Sequence, residues 1–279
     1  MRWSRIKNII ILLLLIVNLS LLGLVGLRSW RSRESVRQTW EQTVALLEGR
    51  GLRYLPEGDP GELTLLPQQV TLSTPGEDSA AALLGTIEGV KTGERTVTYT
   101  SGSSTVLCSP GSLSALLSPG LWPLDGRDPG ELGLALLDRM GWEGQETGRW
   151  EEGGAAGTAG TVTYTLTREG APVHGWTSTL SYSGGSITSL SLRPLDGTAQ
   201  TLAAGGEPIS AATALARFLE TLTQEGYVCS QVTALYPGYT VTGVSGDQVT
   251  LSPVWYIETD AQPSCFAVDG YTGGVTAMG

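Results

Sequence analysis

The chain has 279 residues, with 17 Lys and Arg against 27 Asp and Glu, one histidine and three cysteines. Six of the basic residues and no acid lie in residues 1–33, which leaves the remainder with 11 basic and 27 acidic residues, a net charge of −16. Such a body excludes binding that depends on neutralising nucleic-acid phosphates, and a lone His174 excludes His-cluster metal sites.

The first predicted element is a membrane span at residues 9–27, an uncharged run of 19 residues preceded by a short tail, residues 1–8. As a helix it would cover about 28 Å, close to the ~30 Å hydrocarbon core of a bilayer. A cleaved signal peptide has a shorter apolar stretch and a small-residue cleavage site. This run contains no alanine and ends directly in Arg28, so an uncleaved anchor is expected, with the tail cytoplasmic and the body extracytoplasmic. Trp3 and Trp30 flank it as interfacial aromatics would. Inside the span, Asn18 shares a helical stripe with Ile11, Leu14, Leu22 and Val25. Its amide either bonds a polar group on a neighbouring helix or folds back onto its own backbone; the first alternative makes this stripe a candidate helix-partner contact.

Beyond the span, Val36, Trp40, Val44 and Leu47 repeat at helical spacing, predicting a stalk helix that ends near Gly49 or Gly51. Residues 28–120 are expected to hold this stalk and a first α+β region: strand-like runs at 63–66 and 69–73, a short helix at 79–84, and a hairpin from 95–100 and 105–108. Residues 121–197 read as a second α+β unit. Asp128-Pro129-Gly130-Glu131 supplies an N-cap, a proline suited to a first turn and a capping-box glutamate. Strands follow at 161–168, 173–182 and 187–193. Residues 198–279 read as a third unit, with Ser210 as N-cap, a helix carrying Leu215, Phe218, Leu219 and Leu222, and strands at 227–236, 248–259, 265–268 and 275–278. The expected fold class is therefore α+β, an N-terminal transmembrane helix followed by repeated helix-plus-antiparallel-sheet units.

The search for chemistry yields no catalytic, cofactor-binding or metal-ligating pattern among the phosphate-loop, dinucleotide, zinc-protease and nucleophile-elbow motifs. Carboxylate pairs at Glu151/Glu152 and Glu258/Asp260 arise freely among 27 acids and are expected on solvated surface. His174 could serve as a general base but is expected to pack in a strand beside Trp176. Cys229 and Cys265 fall on strands of one unit and can pair as a disulfide on an oxidising side; with Cys108 the count is odd, so at least one thiol stays free.

The two ends carry a resemblance. Met1-Arg2-Trp3-Ser4-Arg5-Ile6-Lys7-Asn8-Ile9-Ile10 followed by an aliphatic run looks like the start of the YycI proteins, within the YycH/YycI group of membrane-anchored regulators. Pro253-Val254-Trp255-Tyr256-Ile257-Glu258 and Cys265-Phe266-Ala267-Val268-Asp269-Gly270-Tyr271-Thr272-Gly273-Gly274-Val275 resemble that group's last hairpin and, more broadly, the PepSY-type α+β module. The resemblance implies a single-pass protein without enzymatic activity or cofactor. It would modulate a membrane sensor histidine kinase of a cell-wall two-component system through transmembrane helix contacts, with a YycH-like regulator as a further partner. The alternative is an extracytoplasmic binding or inhibitory module, PepSY-like, acting on a secreted or cell-wall enzyme.

Overall fold

The structure is a computed structural model that describes residues 37–58, 60–152 and 159–278. The span expected at residues 9–27, with Ile11, Leu14, Asn18, Leu22 and Val25, lies outside the described residues; among those described, no helix is long and apolar enough to cross a membrane.

Two hydrogen-bonded sheets make up the body. The first contains β3 (Gly89–Thr92), β4 (Val97–Ser101), β5 (Ser104–Ser109), β6 (Ser112–Leu116), β7 (Gly144–Glu151), β8 (Ala159–Arg168), β9 (Ala171–Ser183) and β10 (Ser186–Leu192). They run antiparallel in the order β3-β4-β5-β6-β10-β9-β8-β7. Alternation along each strand sends Tyr99, Val106, Leu113, Val162, Leu180 and Leu190 to one face, where they meet α2 (Glu77–Leu84) and α3 (Pro129–Arg139). α3 begins as its sequence requires. The Asp128 carboxylate accepts from the backbone N–H groups of Gly130 and Glu131 at 2.8 and 3.1 Å. Arg149 of β7 then grips the same carboxylate with both terminal nitrogens, at 2.6 and 2.8 Å. That guanidinium holds the Asp128 carboxyl down at about 2.

The second sheet is built on a long hairpin of β12 (Gln231–Ser245) and β13 (Gln248–Thr259). Each of these strands changes its outer neighbour near a proline, which has no N–H to give a ladder. β13 pairs with β2 (Gln68–Leu72) up to Leu251 and with β14 (Cys265–Asp269) from Val254, the switch falling at Pro253. β12 pairs in parallel with β1 (Arg53–Tyr54) before Pro237 and with β9 after it. β11 (Gly197–Thr201) extends the sheet beyond β2, and β15 (Val275–Met278) beyond β14. One face of this sheet carries Trp255, Ile257, Phe266 and Val268 against α4 (Ala211–Glu225) and a helix described over residues 37–49, here α1. The α4 helix is capped by the Ser210 hydroxyl and stopped by Gly226 in the left-handed conformation.

These findings correct the expected fold class. Among the described residues strand outweighs helix, 46% against 20%, and the helices do not each cover a sheet of their own. Strands from both sides of residue 120 lie together in the first sheet, where β6 pairs with β10. β1 and β2, from the first third of the chain, are inserted beside the C-terminal hairpin. The two sheets are themselves joined by parallel pairing of Tyr239 with Val173 and Thr240 with His174. The alternation patterns were compatible with separate units because a strand's pattern reports which faces are buried and not which strand lies next to it. Nor is α1 a free stalk over its described length. Trp40 and Leu47 are buried in the second core, and Trp40 meets Tyr54 edge to face with centroids 5.4 Å apart.

Candidate functional site

Where the sheets meet, the face of the first sheet turned away from α2 and α3 approaches the face of the hairpin turned away from α4. A cleft of about 670 Å³ opens between them. Gln145, Thr147, Thr163, Thr165 and Thr177 line one wall; Thr233, Glu258, Cys265 and Met278 line the other. A second hollow of about 440 Å³, floored by Leu65, Ala171 and Pro172, lies beside it. Gln145 and Glu258 belong to both.

Three residues form the partition. His174 Nε2 lies 3.1 Å from the Tyr236 hydroxyl, and that hydroxyl donates to Glu258 Oε1 at 2.7 Å. Because the phenol proton goes to the carboxylate, its oxygen is left to accept from His174, which assigns the imidazole proton to Nε2 in the neutral ring. The His174 ring lies over Tyr256, centroids 4.1 Å apart, and the Tyr256 hydroxyl donates to the Tyr239 carbonyl at 2.7 Å. Burial pushes the His174 pKa below its ordinary 6.5, a shift the Glu258 charge only partly offsets. Burial also raises Tyr236, and Glu258 raises it further, so the phenol stays a donor. Cys265, opposite Glu258 in the ladder, is pushed up to about 11 by burial and then by that carboxylate.

This arrangement can bind but is poorly set for nucleophilic chemistry. Activation of a thiol or hydroxyl needs a base with a bare nitrogen beside it, or a depressed pKa. His174 turns Nε2 as a donor to Tyr236, no thiol or hydroxyl among the described residues hydrogen-bonds its bare Nδ1, and Cys265 is held as a thiol. No group of three or more potential metal ligands occurs among the described residues.

The expected candidates are distributed as follows. His174 does not pack beside Trp176. Gly175, with φ of 78°, reverses the alternation between them, so Trp176 joins Val173 in a different core while His174 faces the cleft. Glu258 and Asp260 do not act as a pair: Asp260 accepts from the backbone N–H groups of Ser230 and Gln231, at 2.9 and 3.0 Å. Glu151 belongs to the surface network of Arg149, 4.0 Å away. Cys229 and Cys265 are both free thiols, and so is Cys108. Cys229 packs on the α4 side of the hairpin sheet and Cys265 on the other, so the sheet itself separates the two sulfurs. Tyr236 is not marked by any motif in the sequence. Its only signal is a polar-tipped aromatic immediately before Pro237-Gly238, where the sequence predicts the end of the strand.

The depressed pKa of His174 gives a signed expectation. Below about 6.5 the unfolded chain takes up this proton more readily than the folded one, so the contribution is complete above that pH and is lost as pH falls through the folded value. Urea midpoints measured between pH 7.5 and 5 should fall, and His174→Gln should flatten that part of the curve. An equal slope in the variant would assign the fall elsewhere. Asp128 acts lower, between its ordinary 3.8 and about 2, so the two contributions separate.

No family model matches the chain, and no curated protein matches it. Among solved structures, an uncharacterized protein from Eubacterium rectale is similar, with 12% identity and a TM-score of 0.49 over 82% of this chain and 90% of that one. These findings assign the chain to no family, and the likeness of its ends to the YycH/YycI group stands as a resemblance.

Proposed function

We propose that the protein is a non-enzymatic, extracytoplasmic regulator tethered by residues 9–27, whose span contacts a sensor histidine kinase of a cell-wall two-component system. The observation that carries this reading is the docking of α1. Its described residues start at 37, ten past Leu27, and its Trp40 and Leu47 are rooted in the core formed with α4 and β13. A tether attached there is coupled to the sheet built on the long β12–β13 hairpin, so a change in the body has a direct route to the span. The protonated Cys265 and the donor role of His174 agree with a body that binds and does not catalyse.

Two full-length variants test the reading with different outcomes. Asn18→Leu is expected to reduce co-purification of the kinase, because it removes the amide from the apolar stripe. Trp40→Ala is expected to leave co-purification intact while abolishing the effect on kinase output, since it loosens α1 from the core. Unchanged association and unchanged output in both variants would reject the proposal. The cleft favours one second reading, an extracytoplasmic module that acts on a secreted or cell-wall enzyme. Recovery of such an enzyme with the Asn18→Leu protein, in place of the kinase, would support it.

A further inference from the structure

The outer face of the first sheet continues into the cleft, and its chemistry is unusual for this chain. One row of residues crosses six strands as Thr98, Leu107, Ser114, Ser191, Thr179 and Thr163. The neighbouring row crosses the same strands as Thr100, Thr105, Leu116, Ser189, Ser181 and Thr161. Neither row contains a charged residue, although the chain as a whole carries 44 of them. Both rows are half-buried to exposed, so none of the described layers covers them. Hydroxyls therefore recur at about 4.8 Å across strands and about 6.8 Å along them. The register leads from Thr163 and Thr179 to Thr165 and Thr177, and so to Glu258 at the far wall.

We propose that this face and the cleft bind a short, uncharged saccharide. Its hydroxyl groups would exchange hydrogen bonds with the threonines and donate to Glu258. Only Oε1 of that carboxylate is engaged, by Tyr236; Oε2 has no partner among the described residues. The other glutamate in the lining, Glu146, spends both oxygens on Arg149, at 2.9 and 3.0 Å. Among the described residues no lysine or arginine lines the cleft, so an anionic ligand would find no counter-charge there. Its volume falls within the ~300–1,000 Å³ of small-molecule sites. A peptide adding as a strand is the competing occupant, and the edges oppose it. β7 is interrupted by a bulge between Glu146 and Gly148, and β15 has four residues; bulged and short edges resist strand addition. The inference does not depend on what the tether contacts.

The test is calorimetric titration of the full-length protein in lipid nanodiscs with cellotriose, the N-acetylglucosamine trimer, the galacturonic acid trimer and tri-alanine. At least one of the two neutral sugars is expected to bind saturably at one per chain, and the acidic sugar and the peptide are not. Glu258→Gln should weaken that binding roughly tenfold, the loss of one charge-assisted hydrogen bond. Thr163→Val and Thr177→Val, which keep side-chain shape, should each weaken it as well. Thr242→Val, on an exposed stretch of β12 away from the cleft, should leave it unchanged. Circular dichroism and melting of each variant separate loss of binding from loss of fold. The proposal is overturned if neither neutral sugar binds, if tri-alanine binds in their place, or if binding ignores Glu258, Thr163 and Thr177 alike.

Discussion

Trp255→Ala is expected to lower stability by about 3–5 kcal/mol, the usual cost of truncating a buried tryptophan. The side chain is fully buried between the hairpin sheet and the helices α1 and α4. Its indole N–H donates to the Ile209 carbonyl at 3.1 Å, just ahead of the Ser210 cap, so truncation also strips a hydrogen bond from the turn that starts α4. Both helices lean on this residue, and the neighbours that could close the hole are aromatic and already packed: Phe218 and Phe266 meet edge to face at 5.1 Å. Trp255→Phe narrows the cause, since it keeps much of the apolar contact and loses the hydrogen bond, which alone is worth about 1 kcal/mol. Urea unfolding followed by far-UV circular dichroism measures both. A loss below 1 kcal/mol for the alanine variant would mean that the helices are not held to the sheet through this position.

Gly238→Ala is expected to pry the two sheets apart. A methyl group there would sit 2.7 Å from Tyr256 Cε2 and 2.8 Å from the Pro172 carbonyl oxygen. The ring can shift, but the carbonyl belongs to the start of β9, so relief requires β9 to move away from β12. Overpacking of this kind costs about 1–3 kcal/mol. The damage should be local in hydrogen exchange: the amides near Val173, His174, Tyr239 and Thr240 exchange faster, while those between β13 and β14 keep their protection. His174 should at the same time drift from Tyr236, which would erase the pH dependence attributed to it. Uniform acceleration across the body, or none, would contradict the arrangement of the joint.

Legibility in the sequence followed locality. The caps at Asp128 and Ser210 announced α3 and α4, because an N-cap needs only residues within one turn. β13 was readable over its full length, 248–259, because it is a long, deeply buried central strand. β7 and β11 were missed for the opposite reason. As edge strands with mostly exposed side chains, they have no buried face to leave an apolar pattern. β12 was cut short at Tyr236 because Pro237-Gly238 looks like a turn. In the fold that dipeptide is where the strand exchanges one neighbour for another, and the glycine makes room for the approach of β9. The site was lost at the same place. His174 was visible as the lone histidine, but Tyr236 lies 62 residues further on and Glu258 another 22. Only the joint between sheets brings them together, and nothing in local spacing encodes it.

That joint has an energetic consequence for anything that enters the cleft. Ladder pairing between the two sheets is limited to two residue pairs, while the cleft walls come one from each sheet. A ligand touching both walls therefore binds the closed arrangement and not one in which the sheets have parted. By mass action it adds about 2.7 kcal/mol to the seam at a concentration one hundred times its dissociation constant. Occupancy is in this way written into how tightly one half of the body grips the other, and α1 is fastened to one of those halves.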